Sequence, residues 1–101
     1  MTPMTDTFGA LILRELGALR RELEAYPDDA SIWARPDGVP NAAGTLALHL
    51  AGNLRHFIGA RLGGSGYVRD RAREFEARDV PLATLVLELD EAEAAVRRGM
   101  P

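Results

Sequence analysis

The sequence predicts an all-α domain. Three observations carry that reading. Three long stretches repeat apolar residues at three and four positions, the spacing of one helical face. Prolines and paired glycines fall in the gaps between them. The composition, 47% hydrophobic and 27% charged, is that of an ordinary globular chain. At 101 residues the chain is one domain, 1–101.

The first helix is expected over about 6–26. Thr5 or Asp6 offers a cap, because a short side-chain oxygen accepts from the free N–H groups of the first turn. Phe8, Ile12, Leu16, Leu19, Leu23 and Tyr26 form the apolar stripe. Arg14, Arg20, Arg21, Glu22 and Glu24 fall off it and are expected in solvent. Pro27 ends the helix by disfavouring helical geometry at the residue before it. The loop to Pro40 is long for an unstructured connection, so something must pin it. Ile32 and Trp33 are the candidate pins; Trp33 reads either as a hydrophobic anchor or as a pocket wall.

The second helix is expected over about 42–62, capped by Asn41 and stopped at Gly63 and Gly64. Leu46, Leu50, Leu54, Phe57 and Ile58 cover one broad face, and His49, Asn53, His56 and Ala60 form a stripe beside it. Gly52 and Gly59 lie just beyond, where another backbone can come close. A helix apolar over so much of its circumference is expected to be the central, enclosed one.

The following Gly-Gly-Ser-Gly is not a phosphate loop, since it follows a helix and lacks the Gly-Lys-Ser/Thr ending. From Arg69 to Asp79 the charges alternate in sign, and the acids cancel the arginines. That pattern argues against nucleic acid and for a solvated, internally paired connection. The third helix is expected over about 81–98, with Pro81 in its first turn. Leu82, Leu85, Leu89, Ala92 and Val96 form its stripe, Glu93 and Arg97 an i,i+4 pair. Gly99 and Pro101 read as its stop.

Composition excludes several classes. There are no cysteines, hence no disulfide scaffold, thiol nucleophile or thiolate metal site. The net charge of -3 is too mild to imply a polyionic partner. No apolar run approaches the roughly 18 residues of a membrane span, and Met1 to Thr7 is no signal peptide. The expected compartment is the cytoplasm. No Ser–His–Asp or paired-carboxylate pattern is specific enough to assign catalysis.

The run from Asn41 to His56, NAAGTLALHLAGNLRH, resembles the start of the second helix in the DinB-like superfamily, above all an uncharacterised bacterial branch of it. Trp33 to Pro36, Tyr67 to Arg71 and Glu74-Phe75 carry the same likeness, which extends from about Phe8 to Val96. The resemblance implies a four-helix bundle, often dimeric, with a divalent metal held by three histidines. His49 matches the one on the second helix. The other two form a His-x-x-x-His pair on a fourth helix, and this sequence contains no such pair. Some members are thiol-dependent transferases.

The expectation is therefore an incomplete four-helix bundle of three main helices, completed by homodimerisation. His49 and His56 are candidate ligands for zinc or nickel, with Asn53 as an orienting partner. One helix separates those histidines by about 10 Å of rise, so both must bind across a dimer in which two second helices cross near Gly52. The opposing reading of His49 is a hydrogen-bonded core residue. The alternative function is a non-enzymatic helical dimerisation module.

Overall fold

The computed structural model describes residues 4–35 and 38–99, the first three by their backbone alone. Among the described residues every regular element is helical. Helix α1 spans Met4–Glu24 and the short α2 Asp29–Ile32. Helix α3 spans Ala43–Leu54 and runs without a break into a wide-turned π segment, Arg55–Leu62. Helix α4 is Arg71–Glu76 and α5 is Leu82–Gly99. The three long helices agree with the expected ones to within about two residues at each end. Met100 and Pro101, part of the expected stop, lie outside the described residues.

Local chemistry explains the boundaries. Helix α1 is already under way at Met4, so Thr5 and Asp6 lie within it and not ahead of it. Its last turn tightens, with the Tyr26 N–H donating to the Leu23 carbonyl at 3.2 Å before Pro27. Asp28 starts α2: its Oδ1 accepts from the Ser31 N–H at 2.8 Å and from the Ser31 hydroxyl at 2.7 Å. The cap of α3 falls at Ala42, not at Asn41, and no side chain fills it. Asp70 caps α4 by accepting from the Arg73 N–H at 3.0 Å. Gly64, with φ of 65°, takes the left-handed turn that ends the π segment.

The core lies where the second helix meets α5. Leu85, Leu89, Ala92 and Val96 of α5 are at most 1% exposed. Helix α5 packs against α1, α3 and the π segment, whereas α1 and α3 barely meet each other. Of α3 and α5, helix α3 is the more enclosed, as expected of the second helix: seven of its twelve residues are buried and Leu46, at 51%, is its one exposed residue, whereas α5 presents six residues to solvent. In the π segment Phe57 is 47% exposed. The wide turns of the π segment displace its residues from a 3.6-residue register. Ile58 and Gly59 consequently face inward while Phe57 turns out.

Small residues set the closest approach in this core. A methyl group on Gly59 would lie 3.0 Å from the Ala95 Cβ, and one on Gly99 2.5 Å from the Ile58 carbonyl oxygen. On α1, Leu16 and Leu23 are buried, while Phe8 and Tyr26, at the two ends of the stripe, are exposed. Arg20, expected in solvent, is half-buried and pairs with Asp90 of α5. The Glu93–Arg97 pair forms as expected, at 2.9 Å.

Candidate functional site

Trp33 anchors the loop between α1 and α3. Its indole N–H donates to the Val80 carbonyl at 2.8 Å, and its ring lies so close over Gly44 that an added Cβ would sit 2.6 Å from it. Asp29 adds a second tie, accepting from the Leu82 N–H at 3.3 Å. These contacts match the anchor reading of Trp33; the ring lines neither of the apolar hollows along α1.

A buried polar cluster lies two turns further along α3, at Gly52. Glu74 of α4 is 3% exposed, and its carboxylate rests in the notch left by Gly52. Arg69 grips it with both ends of its guanidinium: Nε donates to Oε2 at 2.9 Å and Nη2 to Oε1 at 2.8 Å. The fork geometry makes this among the stronger pairings available to a carboxylate. These hydrogen bonds hold the Arg69 pKa above its usual range against the opposing effect of burial. Within the segment from Arg69 to Asp79 the Arg69–Glu74 pair is internal, as expected, while Arg73 turns to Glu88 of α5. The internal pair is enclosed, not solvated: the Arg69 and Glu74 side chains are 11% and 4% exposed.

His49 completes the cluster. Its Nδ1 is 3.2 Å from both Glu74 Oε1 and Arg69 Nη2. The tautomer with hydrogen on Nδ1 donates to the carboxylate; the other accepts from the guanidinium. Phe75 flanks the ring at a centroid distance of 5.0 Å. The imidazole is one-third exposed, so it is neither a core residue nor free in solvent.

The remaining candidates do not join it. His56 packs edge-on against Phe57, with centroids 4.7 Å apart. Asn53 is half-buried and makes no hydrogen bond to either histidine among the described residues. No group of three His, Asp or Glu side chains suited to a metal ion occurs among the described residues. Within one copy the notch at Gly52 is filled by the Glu74 carboxylate.

A second polar cluster lies nearby. Glu88 of α5 meets Arg55 at 3.4 Å and Arg73 at 3.6 Å, and the Arg55 guanidinium lies 4.0 Å over the Tyr67 ring. Sequence reasoning treated Arg69 and Glu74 as loop charges. The available sign was local: Asp70 stands three residues before Arg73 as a helix cap, which turns Glu74 toward α3.

No described helix is long and apolar enough to cross a membrane. No family model matches the chain, and no match was found among curated proteins or solved structures.

Proposed function

We propose that the protein is a DinB-like helical bundle in which His49 serves as a ligand for a divalent cation, zinc or nickel. The observation that carries this is the contact of Nδ1 with the buried Glu74 carboxylate. Histidines that bind metals through one nitrogen commonly give the other to a carboxylate, which fixes the ring and raises its basicity. Here Glu74 is itself locked by Arg69, so the imidazole is held before any ligand arrives. Nε2 makes no hydrogen bond among the described residues.

The fit to a metal is partial. The first ligand and its support are in place, but one copy offers no complete set among the described residues. The other ligands, His56 included, would have to come from a second copy or another partner. The bound cation would supply Lewis acidity; the chain's own part is to hold one nitrogen in place. Elemental analysis of the purified protein tests the reading. Stoichiometric zinc or nickel, lost in His49→Ala with helicity retained, supports it. A metal-free protein that takes up neither ion in a titration rejects it.

A second reading, a homodimeric association module without catalysis, is favoured by large apolar side chains left open on the surface: Phe8, Leu46 and Phe57 are each about half exposed. Sedimentation at micromolar concentration, with and without chelator, separates the two readings.

A further inference from the structure

The fold holds one nitrogen of His49 and leaves the other free. Nδ1 lies 3.2 Å from the Glu74 carboxylate, and Nε2 makes no hydrogen bond among the described residues. The ring is one-third exposed, and its Nδ1 side is the one turned to the enclosed pair. A nucleophilic side chain is recognised by a basic partner within hydrogen-bond reach, itself oriented by a third group. Here the partner is Glu74, and the third group is Arg69, which holds both carboxylate oxygens. With hydrogen on Nδ1 and donated to Glu74, the lone pair sits on Nε2. As Nε2 forms a bond the ring gains positive charge, and the carboxylate stabilises that charge as it develops.

The surroundings select the electrophile. The Arg71 guanidinium lies 5.9 Å over the Phe75 ring, and Phe75 in turn lies 5.0 Å from the imidazole. Arg71 is exposed and forms no ion pair among the described residues. It is an open cation at the rim of the site, Arg69 being engaged by Glu74. Such a charge draws anions to this edge. A guanidinium also suits phosphoryl oxygens, over which charge spreads during transfer.

We infer that His49 is a phosphoryl-acceptor site, taking the group on Nε2 from a phosphoramidate-type donor, one with phosphorus bound to nitrogen. Nε2 gives its lone pair to phosphorus. The P–N bond of the donor, protonated on nitrogen, breaks, and a neutral amine leaves with that bond's electron pair. The Nδ1 proton stays on the ring, shared with Glu74, so no further proton acceptor is needed. A phosphohistidine is itself a phosphoramidate, so exchange with such a donor is close to balanced, which transfer from a simple phosphate ester is not. This chemistry needs no cation and does not rest on the metal reading. The two use the same nitrogen and exclude each other at any one moment.

The second histidine of the chain is an internal control. His56 is half-buried too, but its ring meets Phe57 and no carboxylate among the described residues. The whole chain, treated with chelator, is incubated with phosphoramidate and followed by phosphorus NMR and mass spectrometry. His49 should be phosphorylated on Nε2 at least about tenfold faster than His56, a decade of rate being about 1.4 kcal/mol of barrier. Glu74→Gln should bring His49 down to the rate of His56, with helical circular dichroism retained. Should Glu74→Gln fail to fold, the exposed Arg71 decides: Arg71→Ala should slow His49 about threefold, the effect of losing one exposed charge. Equal rates at the two histidines, phosphorylation of His49 on Nδ1, no reaction at all, or a His49 rate that neither variant changes overturns the proposal.

Discussion

Glu74 occupies the space that a side chain at residue 52 would need: its carboxylate and the Cα of Gly52 fit together as peg and notch. That one relationship fastens α4 to α3, and with Arg69 and His49 it forms an enclosed polar cluster.

Gly52→Ala should therefore act at a distance from any helix-propensity effect. Alanine favours a helix over glycine by about 1 kcal/mol, so propensity alone predicts a more stable protein. The new methyl collides with the Glu74 carboxylate, and overpacking of this kind costs about 1–3 kcal/mol. A net loss of about 1–2 kcal/mol in urea unfolding is expected, together with weaker protection of the α4 amides in hydrogen exchange.

Removing one partner of the Arg69–Glu74 pair should cost more than removing both. Glu74→Ala leaves a nearly buried guanidinium without its carboxylate, a loss of about 3 kcal/mol. Replacing the pair as Arg69→Met with Glu74→Leu should recover most of that, because neither charge is then stranded. Chemical denaturation of the singles and the double closes the cycle. Strict additivity would show that the pair is not coupled.

Trp33→Phe keeps an aromatic ring over Gly44 but loses the donor to the Val80 carbonyl. The unsatisfied carbonyl and the smaller ring together should lower stability by about 1–2 kcal/mol. Gly44→Ala should cost about 2 kcal/mol by crowding the indole. Combined, the two should fall short of additivity, since the smaller ring leaves room for the methyl. Thermal melts of the three proteins measure this.

Sequence periodicity was sufficient for the three long helices and for most of the core stripe, because Leu16, Leu23, Leu85, Leu89 and Val96 each repeat at helical spacing. It also placed the second helix at the centre, and α3 does bury seven of its twelve residues; what periodicity missed is that Leu46, counted on the apolar face, is the one residue of α3 left exposed. The π segment broke the register at Phe57, a change that hydrogen bonding makes and residue type does not announce. At the site, His49 was legible as a residue of interest. Its partners were not: Arg69 and Glu74 lie 20 and 25 residues further along and meet it only because α4 folds back. His56 shared its stripe in sequence but stays apart from it in space.

Asp28 gives a pH signature at the α1–α2 corner. The Ser31 hydroxyl, and after it the Ser31 N–H, hold the Asp28 carboxyl below its ordinary value. A carboxyl depressed in the folded state stabilises the fold above the unfolded value of about 3.9. That contribution fades as pH falls through the lower folded value. Carbon-detected NMR titration should place the Asp28 midpoint below that of an unstructured aspartate. Ser31→Ala should move it upward, and an unchanged midpoint would discount the cap.

That α1 and α3 both rest on α5, and scarcely on each other, has a consequence for how the chain reaches its native state. Helices α1 and α3 are made first, yet neither finds in the other a surface large enough to rest on. Their oily sides must wait in the ribosomal emergent chain until the segment beginning at Leu82 arrives and binds both at once. Collapse is thus a late, single event, governed by contacts far apart along the chain. A fragment stopped before Pro81 should show residual helix but no cooperative melting transition, and during synthesis it would be the species most dependent on chaperones.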